Sequence, residues 1–328
     1  MGWIDMHCDT LYELLRGPKE WNLSQNQLCI NINGMKKTGT MAQFFACFVD
    51  VRQWEEEWAD NRWDAGYLRV LQMLNRLQEE ENNDLRQILS YEELSDNWRH
   101  GKISAVATVE EGGVLNEEIE RVEEVYQNGV RLITLTWNYE NCLAYPNSRN
   151  AQVMQERLKP FGMEVLYRMN ELGMMVDVSH LSDGGFWDCI KYSKAPIVAS
   201  HSNCRALCEH PRNLTDEMLK ALAAKGGVAG LNFYPAFLRK EEEENRATVS
   251  PSDIARHAKH MIEVAGEEVV AIGTDFDGFE MKDNPDYLSG GGEIEKVWDA
   301  FQKEGITPRQ IEKIQSENVL RVIKEVWK

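Results

Sequence analysis

The 328-residue chain is poor in basic residues, with 36 Lys and Arg against 54 Asp and Glu and a formal net charge of −18 at pH 7. Such a surface repels phosphate backbones and anionic lipid, so we expect neither nucleic-acid binding nor docking on a membrane. The sequence also lacks an uninterrupted apolar run of the roughly 18 to 20 residues that a membrane span needs.

Closely spaced cysteine pairs are also missing. The seven cysteines are odd in number and scattered, and none forms a C-x-x-C motif. This pattern is typical of a reduced protein with free, mostly buried thiols. Because the first strand candidate begins at Trp3, it leaves no room for a signal peptide. We therefore expect a cytoplasmic protein.

A Gly-rich dinucleotide fingerprint is absent after the first strand candidate, and there is no internal repeat or long linker. The chain is nevertheless 43% hydrophobic, which is enough for a full core. Helical patterns separate most of the apolar runs. The strand candidates are residues 3–9, 41–51, 103–110, 131–137, 174–180, 196–202, 226–233 and 269–277, and the clearest helix candidates are residues 63–79, 117–128, 155–171, 250–266 and the segment from 307 onward.

Strands that alternate with helices indicate parallel pairing, and eight of them favour a closed barrel over an open doubly wound sheet. We predict one α/β domain over residues 1–328, a (β/α)8 barrel of the TIM type. The acidic run at residues 241–244 is predicted to be a solvated loop or the start of a helix.

Several of the strand candidates end in side chains that bind metals. The strand ends on one face of such a barrel converge on a single pocket. Imidazoles and carboxylates gathered there would form a site for one or two divalent metals such as zinc. The sequence therefore predicts a metal-dependent hydrolase. The residues concerned are His7, Asp9, Glu110 or Glu111, His180, His201 and Asp275.

The first and third strand candidates carry the acidic ligands. His7 and Asp9 are two residues apart, so on an extended strand they lie on the same face and could hold one ion. Two close metals also need a bridging carboxylate, which Glu110 or Glu111 could supply. Because adjacent strand residues point in opposite directions, only one of this pair can serve.

Two histidines, His180 and His201, each follow an apolar run that ends in serine. A lone histidine is more often a hydrogen-bonded core residue, but the same placement on consecutive strands favours metal ligands. His257 and His260 share one face of a predicted helix, which suggests a weak metal pair. A solvated or buffering role suits that pair better, because it lacks a strand-end position.

Asp275 and Arg212 are candidates for contact with the substrate. Asp275 begins an Asp-Phe-Asp-Gly sequence after the last strand candidate, so it could act as a general base or shape a turn. Arg212 lies in the loop beyond the sixth strand candidate. Its guanidinium could hold a substrate carboxylate in bidentate fashion, or it could be an ordinary surface arginine.

Taken as an ordered set, these motifs resemble the membrane dipeptidase (renal dipeptidase) family of zinc peptidases. The similarity runs from Ile4 to residues 318–322, nearly the whole chain. The resemblance implies a distorted (β/α)8 barrel with two zinc ions. It implies that His7, Asp9 and Glu110 hold one ion, that Glu110 bridges to a second held by His180 and His201, that Arg212 binds the substrate's terminal carboxylate, and that Asp275 lies near its amino group and the attacking water.

The chain departs from the renal members of this family in two respects. Those members carry a substrate-contacting histidine after the Leu-Thr of the fourth strand, where this chain has Trp137, followed by Asn138 and Tyr139. We expect Trp137 and Tyr139 to contact the substrate instead. Renal members are also secreted and lipid-anchored, so this chain is more similar to the soluble bacterial branch, and a homodimer is compatible with it.

These observations predict a cytoplasmic metallodipeptidase with two divalent ions, preferably zinc, that hydrolyses dipeptides through a metal-bridging hydroxide. Asp275 would pass the proton to the leaving amine. One alternative is another amidohydrolase-type barrel acting on a cyclic amide or a base. Such barrels often have a metal-bridging lysine on the fourth strand, where this chain has Trp137. The other alternative is a metal-binding barrel without catalytic activity.

Overall fold

The computed structural model describes residues 2–54, 61–239, 249–280 and 287–327. The acidic run at 241–244 lies outside the described residues. Within them, nine strands pair in parallel in a single sheet. The strands are β1 (Trp3–Cys8), β2 (Thr40–Phe48), β3 (Leu85–Gln87), β4 (Ile103–Glu110), β5 (Val130–Thr134), β6 (Met175–Asp177), β7 (Val198–Ala199), β8 (Val228–Leu231) and β9 (Val270–Ile272).

Eight of these strands close into a barrel, which confirms the predicted (β/α)8 fold. The order around the barrel is β1-β2-β4-β5-β6-β7-β8-β9, and β9 returns to β1 through the pair Asp5 and Ile272. Beyond that pair, Asp275 donates its backbone N–H to the His7 carbonyl at 3.1 Å, and Asp9 donates to Phe276 at 2.9 Å. The first and last strands of the chain are therefore joined up to the point where the site begins.

The strand β3 is an addition that the sequence patterns did not predict. It pairs with the first half of β4, with Leu85 opposite Ile103, while β5 pairs with the second half, with Glu110 opposite Thr134. Both strands therefore use the same edge of β4. With three residues, β3 is too short to show a periodicity of its own.

Helices surround the barrel and cover the outer faces of its strands. The predicted capping boxes at Ser250 and Thr307 are present. A proline at the first helical position sets the start of α7 later than predicted. In the described part of the chain, no helix is both long and apolar enough to cross a membrane. The helices are α1 (Thr10–Arg16), α2 (Ile32–Lys37), α3 (Arg62–Glu79), α4 (Tyr91–Arg99), α5 (Glu120–Gln127), α6 (Ala151–Met154), α7 (Pro160–Leu172), α8 (Asp183–Tyr192), α9 (Asp216–Ala224), α10 (Pro235–Leu238), α11 (Pro251–Ala265), α12 (Glu295–Lys303), α13 (Pro308–Glu312) and α14 (Asn318–Val326), with a π-helical turn at Lys313–Glu317.

The alternation of side chains along β4 shows how the barrel positions a site. Ala105 and Val109 belong to the apolar layer between strands and helices. Val106 belongs instead to the cluster inside the barrel, where Val322 and Ile323 of α14 also pack. By the two-residue period, Glu110 also points inward, but at the opposite end of the strand. Helix α14 therefore closes one end of the barrel, and the polar residues lie at the other.

Candidate metal centre

Six of the predicted site residues come together at the carboxyl ends of five strands. All are buried except Asp275, whose side chain is 15% exposed. His7 lies within β1, and Asp9 is the N-cap residue of α1 rather than part of the strand. Glu110 is the last residue of β4, and the remaining three follow their strands after short turns. These three are His180 after β6, His201 after β7 and Asp275 after β9.

Glu110 lies at the centre of this group and faces different partners with its two oxygens. Its Oε2 is 3.3 Å from Nε2 of His7. Its Oε1 is 3.0 Å from Nε2 of His180 and 3.6 Å from Nε2 of His201. One carboxylate therefore reaches two separate sets of ligand atoms.

In the described residues, three sets of possible ligand atoms each have all their atoms within 4.8 Å of one another. One is His7, His201 and Asp275, and the other two share Glu110. Of the two that share Glu110, one is His7, Asp9 and Glu110, and the other is Glu110, His180 and His201. Both ring nitrogens of His7 and Oδ1 of Asp9 are buried without a hydrogen-bond partner in the described residues. Buried polar atoms rarely go unpaired, so a pair of cations bridged by Glu110 fits this arrangement.

The electrostatics of the histidines also fit metal binding. Burial lowers the pKa of His180 to about 4 and that of His201 well below its ordinary value, so both imidazoles are neutral, the form that binds metals. Burial also lowers the pKa of His7, but the carboxylates of Glu110 and Asp9 outweigh it and raise that pKa well above its usual value.

The acids are crowded. Burial and the neighbouring Glu110 raise the pKa of Asp9 to about 8, and burial raises the pKa of Asp275 to about 6. Burial opposes ionisation of Glu110 too, but the neighbouring His7 outweighs it and holds the pKa of Glu110 well below the usual range. A divalent ion would favour the ionised form of all these carboxylates.

Glu111 turns away from the cluster. Its backbone has φ 103°, in the left-handed region, and its carboxylate accepts hydrogen bonds from the backbone of Gly113 at 2.8 Å and of Trp137 at 3.2 Å, and from Asn141 Nδ2 at 2.5 Å. Burial raises its pKa to about 7. The structure therefore brings Glu110 to the cluster, and Glu111 supports the loop that carries Trp137.

Three polar residues that the sequence patterns did not single out contact this cluster or its neighbours. Asn138 Oδ1 lies 3.0 Å from Nδ1 of His180, and Asn232 donates to Asp275 Oδ2 at 2.9 Å. Asp177 is fully buried within β6 and bonds the serines that precede the two histidines. A carboxylate inside an apolar strand was a sequence signal for Asp177. The two asparagines had no comparable signal.

Arg212 lies beside the cluster and is 4% exposed. Its Nη1 donates to the Ser179 carbonyl and, at 3.2 Å, to Ser202 Oγ, while its Nη2 donates to the His201 carbonyl at 3.2 Å. Its Nε is buried without a partner among the described residues. Burial lowers the pKa of Arg212 to about 10, which leaves it charged at neutral pH. The Nε edge of this guanidinium can therefore still bind an anion.

A cleft of about 900 Å³ lies above the cluster. Asp9, Glu110, His180, Arg212 and Asp275 are among its lining residues, as are Phe48 and Trp137, whose rings pack edge to face at 4.8 Å.

The structure separates the two residues that were expected to contact the substrate. Trp137 lines the cleft, but Tyr139 is not among the described lining residues. The Tyr139 ring packs against Trp137 at 5.3 Å and carries the Arg52 guanidinium 3.7 Å from its centroid. In the structure Tyr139 therefore packs against Trp137 and helps to hold the indole in position.

The solvated role expected for the helical pair does not hold for His257. This residue is buried, its Nδ1 accepts from the Cys204 N–H at 3.1 Å, and its Nε2 donates to the Leu238 carbonyl at 3.1 Å. His260 bonds Asp216 at 2.8 Å instead. The two rings therefore bond different neighbouring segments, and helical spacing cannot reveal such contacts.

Comparison with known proteins gives one family. Residues 1–328 match the model of the membrane dipeptidase family (peptidase family M19). An uncharacterized dipeptidase of Schizosaccharomyces pombe is 34% identical over 301 residues, which cover 89% of this chain and 70% of that protein. An uncharacterized protein in the pqqA 5′ region of Klebsiella pneumoniae is 35% identical over 236 residues, covering 70% of this chain and 84% of that protein.

Solved structures share the fold along the whole chain. A metallo peptidase from Rhodobacter sphaeroides, liganded with a phosphinate mimic of the dipeptide L-Ala-D-Ala, has a TM-score of 0.87 at 24% identity, covering 100% of this chain and 99% of that one. The probable dipeptidase PvdM from Pseudomonas aeruginosa has a TM-score of 0.87 at 19% identity, covering 100% and 96%.

Proposed function

Because the chain belongs to the membrane dipeptidase family (peptidase family M19), we propose that it is a dipeptidase that uses two divalent ions, preferably zinc. The observation that carries this proposal is the position of Glu110, whose two oxygens face two separate sets of ligands. His7 and Asp9 would complete one site, and His180 and His201 the other. When bound, the ions would polarise the scissile carbonyl and make the attacking water more acidic.

Arg212 would orient the substrate. Its free Nε–H and the remaining Nη2–H form one edge of the guanidinium, which matches the two oxygens of a terminal carboxylate. Arg212 follows β7, and Phe48 ends β2 on the opposite side of the eight-stranded barrel, with Glu110 between them. A dipeptide held by its carboxylate at Arg212 would therefore place its first residue toward Phe48 and Trp137.

Asp275 would carry the proton between the reacting groups. Its Oδ1 faces His7 at 3.8 Å, and its Oδ2 is held by Asn232 at 2.9 Å. A carboxylate fixed in this way can accept a proton from the water and donate it to the leaving amine. The aromatic wall of Phe48 and Trp137 would limit the entry of bulk water to the cleft.

The relatives and the cysteines support the remaining parts of this proposal. The Schizosaccharomyces pombe relative is described as a dipeptidase, and the Rhodobacter sphaeroides protein binds a mimic of a dipeptide. These descriptions favour a small peptide substrate over the cyclic amide of the amidohydrolase alternative. All seven cysteines are free, which suits a reducing compartment, and we propose the cytoplasm.

Metal analysis and turnover on the same sample test the proposed function. The purified protein should contain close to two divalent ions, and chelation should abolish hydrolysis of a panel of dipeptides until zinc, cobalt or manganese is restored. Combined replacement of His180 and His201 by alanine should leave at most one ion. His260→Ala is the matched control, because that ring bonds Asp216 and is not part of the cluster. A protein that binds no metal and regains no activity would refute the proposal.

A further inference from the structure

A buried carboxylate, Asp177, lies behind the metal centre and contacts none of its proposed ligands. Its oxygens accept from the hydroxyls of Thr134 at 2.6 Å, Ser179 at 2.7 Å and Ser200 at 2.6 Å. They also accept from the backbone N–H groups of Ser179 at 3.1 Å and Ser200 at 2.9 Å. An ionised carboxylate only accepts hydrogen bonds, so every one of these partners must donate.

This requirement determines where the hydrogens of the neighbouring residues lie. Ser200 Oγ is 2.6 Å from Asp177 Oδ2 and also 2.6 Å from Nδ1 of His201. The hydroxyl has one hydrogen, and the contact with Asp177 uses it. Nδ1 of His201 must therefore carry a hydrogen and donate it to Ser200 Oγ. A neutral imidazole has one N–H, so Nε2 of His201 is left with its lone pair free.

The free nitrogen of His201 is the one that faces the metal centre. It lies 3.6 Å from Glu110 Oε1 and 3.0 Å from Nε2 of His180. The His180 ring is arranged in the same way, because its Nδ1 faces the carbonyl oxygen of Asn138 at 3.0 Å. The Nε2 atoms of both imidazoles therefore present lone pairs to the same point. Because neither Nε2 carries a hydrogen, the two rings cannot hydrogen-bond to each other there.

We propose that Asp177 and Ser200 are positioning residues that hold His201 in the tautomer with a free Nε2, and so set the affinity of the ion held by Glu110, His180 and His201. The inference rests on the proposed metal site. Removing the Ser200 hydroxyl leaves the buried Nδ1–H of His201 without its acceptor, so the ring can adopt the other tautomer. Loss of such outer partners typically lowers metal affinity about 10- to 100-fold.

Ser179 provides a matched control. Its hydroxyl also donates to Asp177, and its oxygen accepts from the His201 backbone N–H at 3.1 Å, but it does not contact the imidazole nitrogen of His201. Ser179→Ala and Ser200→Ala therefore remove the same group from the same buried carboxylate. Only Ser200→Ala also removes the oxygen that accepts the hydrogen of His201 Nδ1.

The experiment measures zinc binding to the metal-free protein by chelator competition and reads the His201 tautomer by ¹⁵N NMR of histidine-labelled protein. Ser200→Ala should weaken one of the two binding steps about 10- to 100-fold and lose the Nδ1–H signal pattern of His201. Ser179→Ala should keep both affinities within about threefold and retain that pattern. Ser200→Thr keeps the hydroxyl and should restore wild-type binding. This result would distinguish loss of the hydrogen-bond relay Asp177–Ser200–His201 from a general loss of folding.

Three outcomes would overturn the inference. Ser200→Ala that binds both ions as wild type does, or Ser179→Ala that weakens binding equally, would show that the network is only structural. An Nε2–H tautomer of His201 in the metal-free wild type would contradict the proton assignment directly. A wild-type protein that binds two ions while Ser200→Ala is unaffected refutes the relay alone, whereas one that binds no ion refutes the proposed function as well.

Discussion

Replacing the terminal carboxylate of a dipeptide by a primary amide should cost the wild-type protein far more than it costs an Arg212→Ala variant. The two changes remove opposite halves of the same proposed contact. For each protein, kcat/KM for the dipeptide is divided by kcat/KM for its amide. The quotient of the wild-type ratio and the variant ratio then isolates that contact. Any effect that the amide or the Arg212→Ala substitution has independently of the other cancels in this quotient.

The structure gives the expected size of this quotient. Arg212 keeps two donors for a ligand, its Nε–H and one Nη2–H, because its other hydrogens bond Ser179, Ser202 and His201. A primary amide keeps one acceptor oxygen, so it loses one of these two hydrogen bonds. One hydrogen bond to a charged group contributes about 1.5 to 3 kcal/mol, which corresponds to roughly 10- to 150-fold in kcat/KM. Truncation also removes donors from carbonyls next to the ligands, but this damage affects both substrates equally.

The assay compares Ala-Ala with Ala-Ala amide at saturating zinc, for the wild type and for two variants. Arg205→Ala is the control, since that guanidinium binds Asp183 in bidentate fashion at 2.7 and 2.8 Å and does not line the cleft. Its quotient should stay near one. An Arg212 quotient within about twofold of one, or equal cleavage of dipeptides, amides and tripeptides by the wild type, would refute the role of Arg212.

Four further results are expected. Glu110→Gln should lose bound metal and activity, whereas Glu111→Gln should keep its metal and lose about 1 to 3 kcal/mol of unfolding free energy in urea, and the reverse pattern would contradict the assignment. Asp275→Asn should lower kcat about a hundredfold or more with metal content unchanged, and a loss below threefold would exclude proton transfer by this residue. Trp137→His should alter the preference for the first residue of the substrate, and complete inactivity of a folded variant would show that the indole is an essential part of the cleft. Burial lowers the pKa of His257 to about 4. The unfolded state therefore binds more protons below about pH 6.5, and the stability that depends on neutral His257 should fall by about 2 kcal/mol from pH 7.5 to pH 5. A His257→Gln variant should lack that part of the pH dependence, and identical urea midpoint shifts would contradict it.

The sequence was sufficient for the barrel and for the residues that meet at its open end. Short apolar runs that end in histidine or a carboxylate are visible without a structure. His180 and His201 could be paired because each follows a strand in the same way. Parallel strands bring such positions together whatever the intervening loops contain.

The remaining features depend on backbone turns and long-range contacts that local patterns do not encode. Alternation predicts that Glu110 and Glu111 point apart, but only the positive φ of Glu111 shows that its carboxylate is used by the neighbouring loop. Asp9 contacts His7 from the N-cap position of α1 rather than from a strand. Tyr139 was expected in the cleft because of its place in the sequence, whereas packing against Trp137 and Arg52 decides its position.

The pairing of β1 with β9 has a consequence for the order in which the metal centre can assemble. Glu110, His180 and His201 come from β4, β6 and β7, within one central portion of the chain. The strand that carries His7 is held in place by Ile272 of β9, which pairs with Asp5, and by Asp275 just after β9, and both are made late in synthesis. Pairings between such distant segments form slowly. We therefore expect the two proposed sets to become ordered at different times during synthesis. A nascent chain that ends before β9 already contains all five proposed ligands, but it lacks the strand that closes the barrel beside His7 and Asp9.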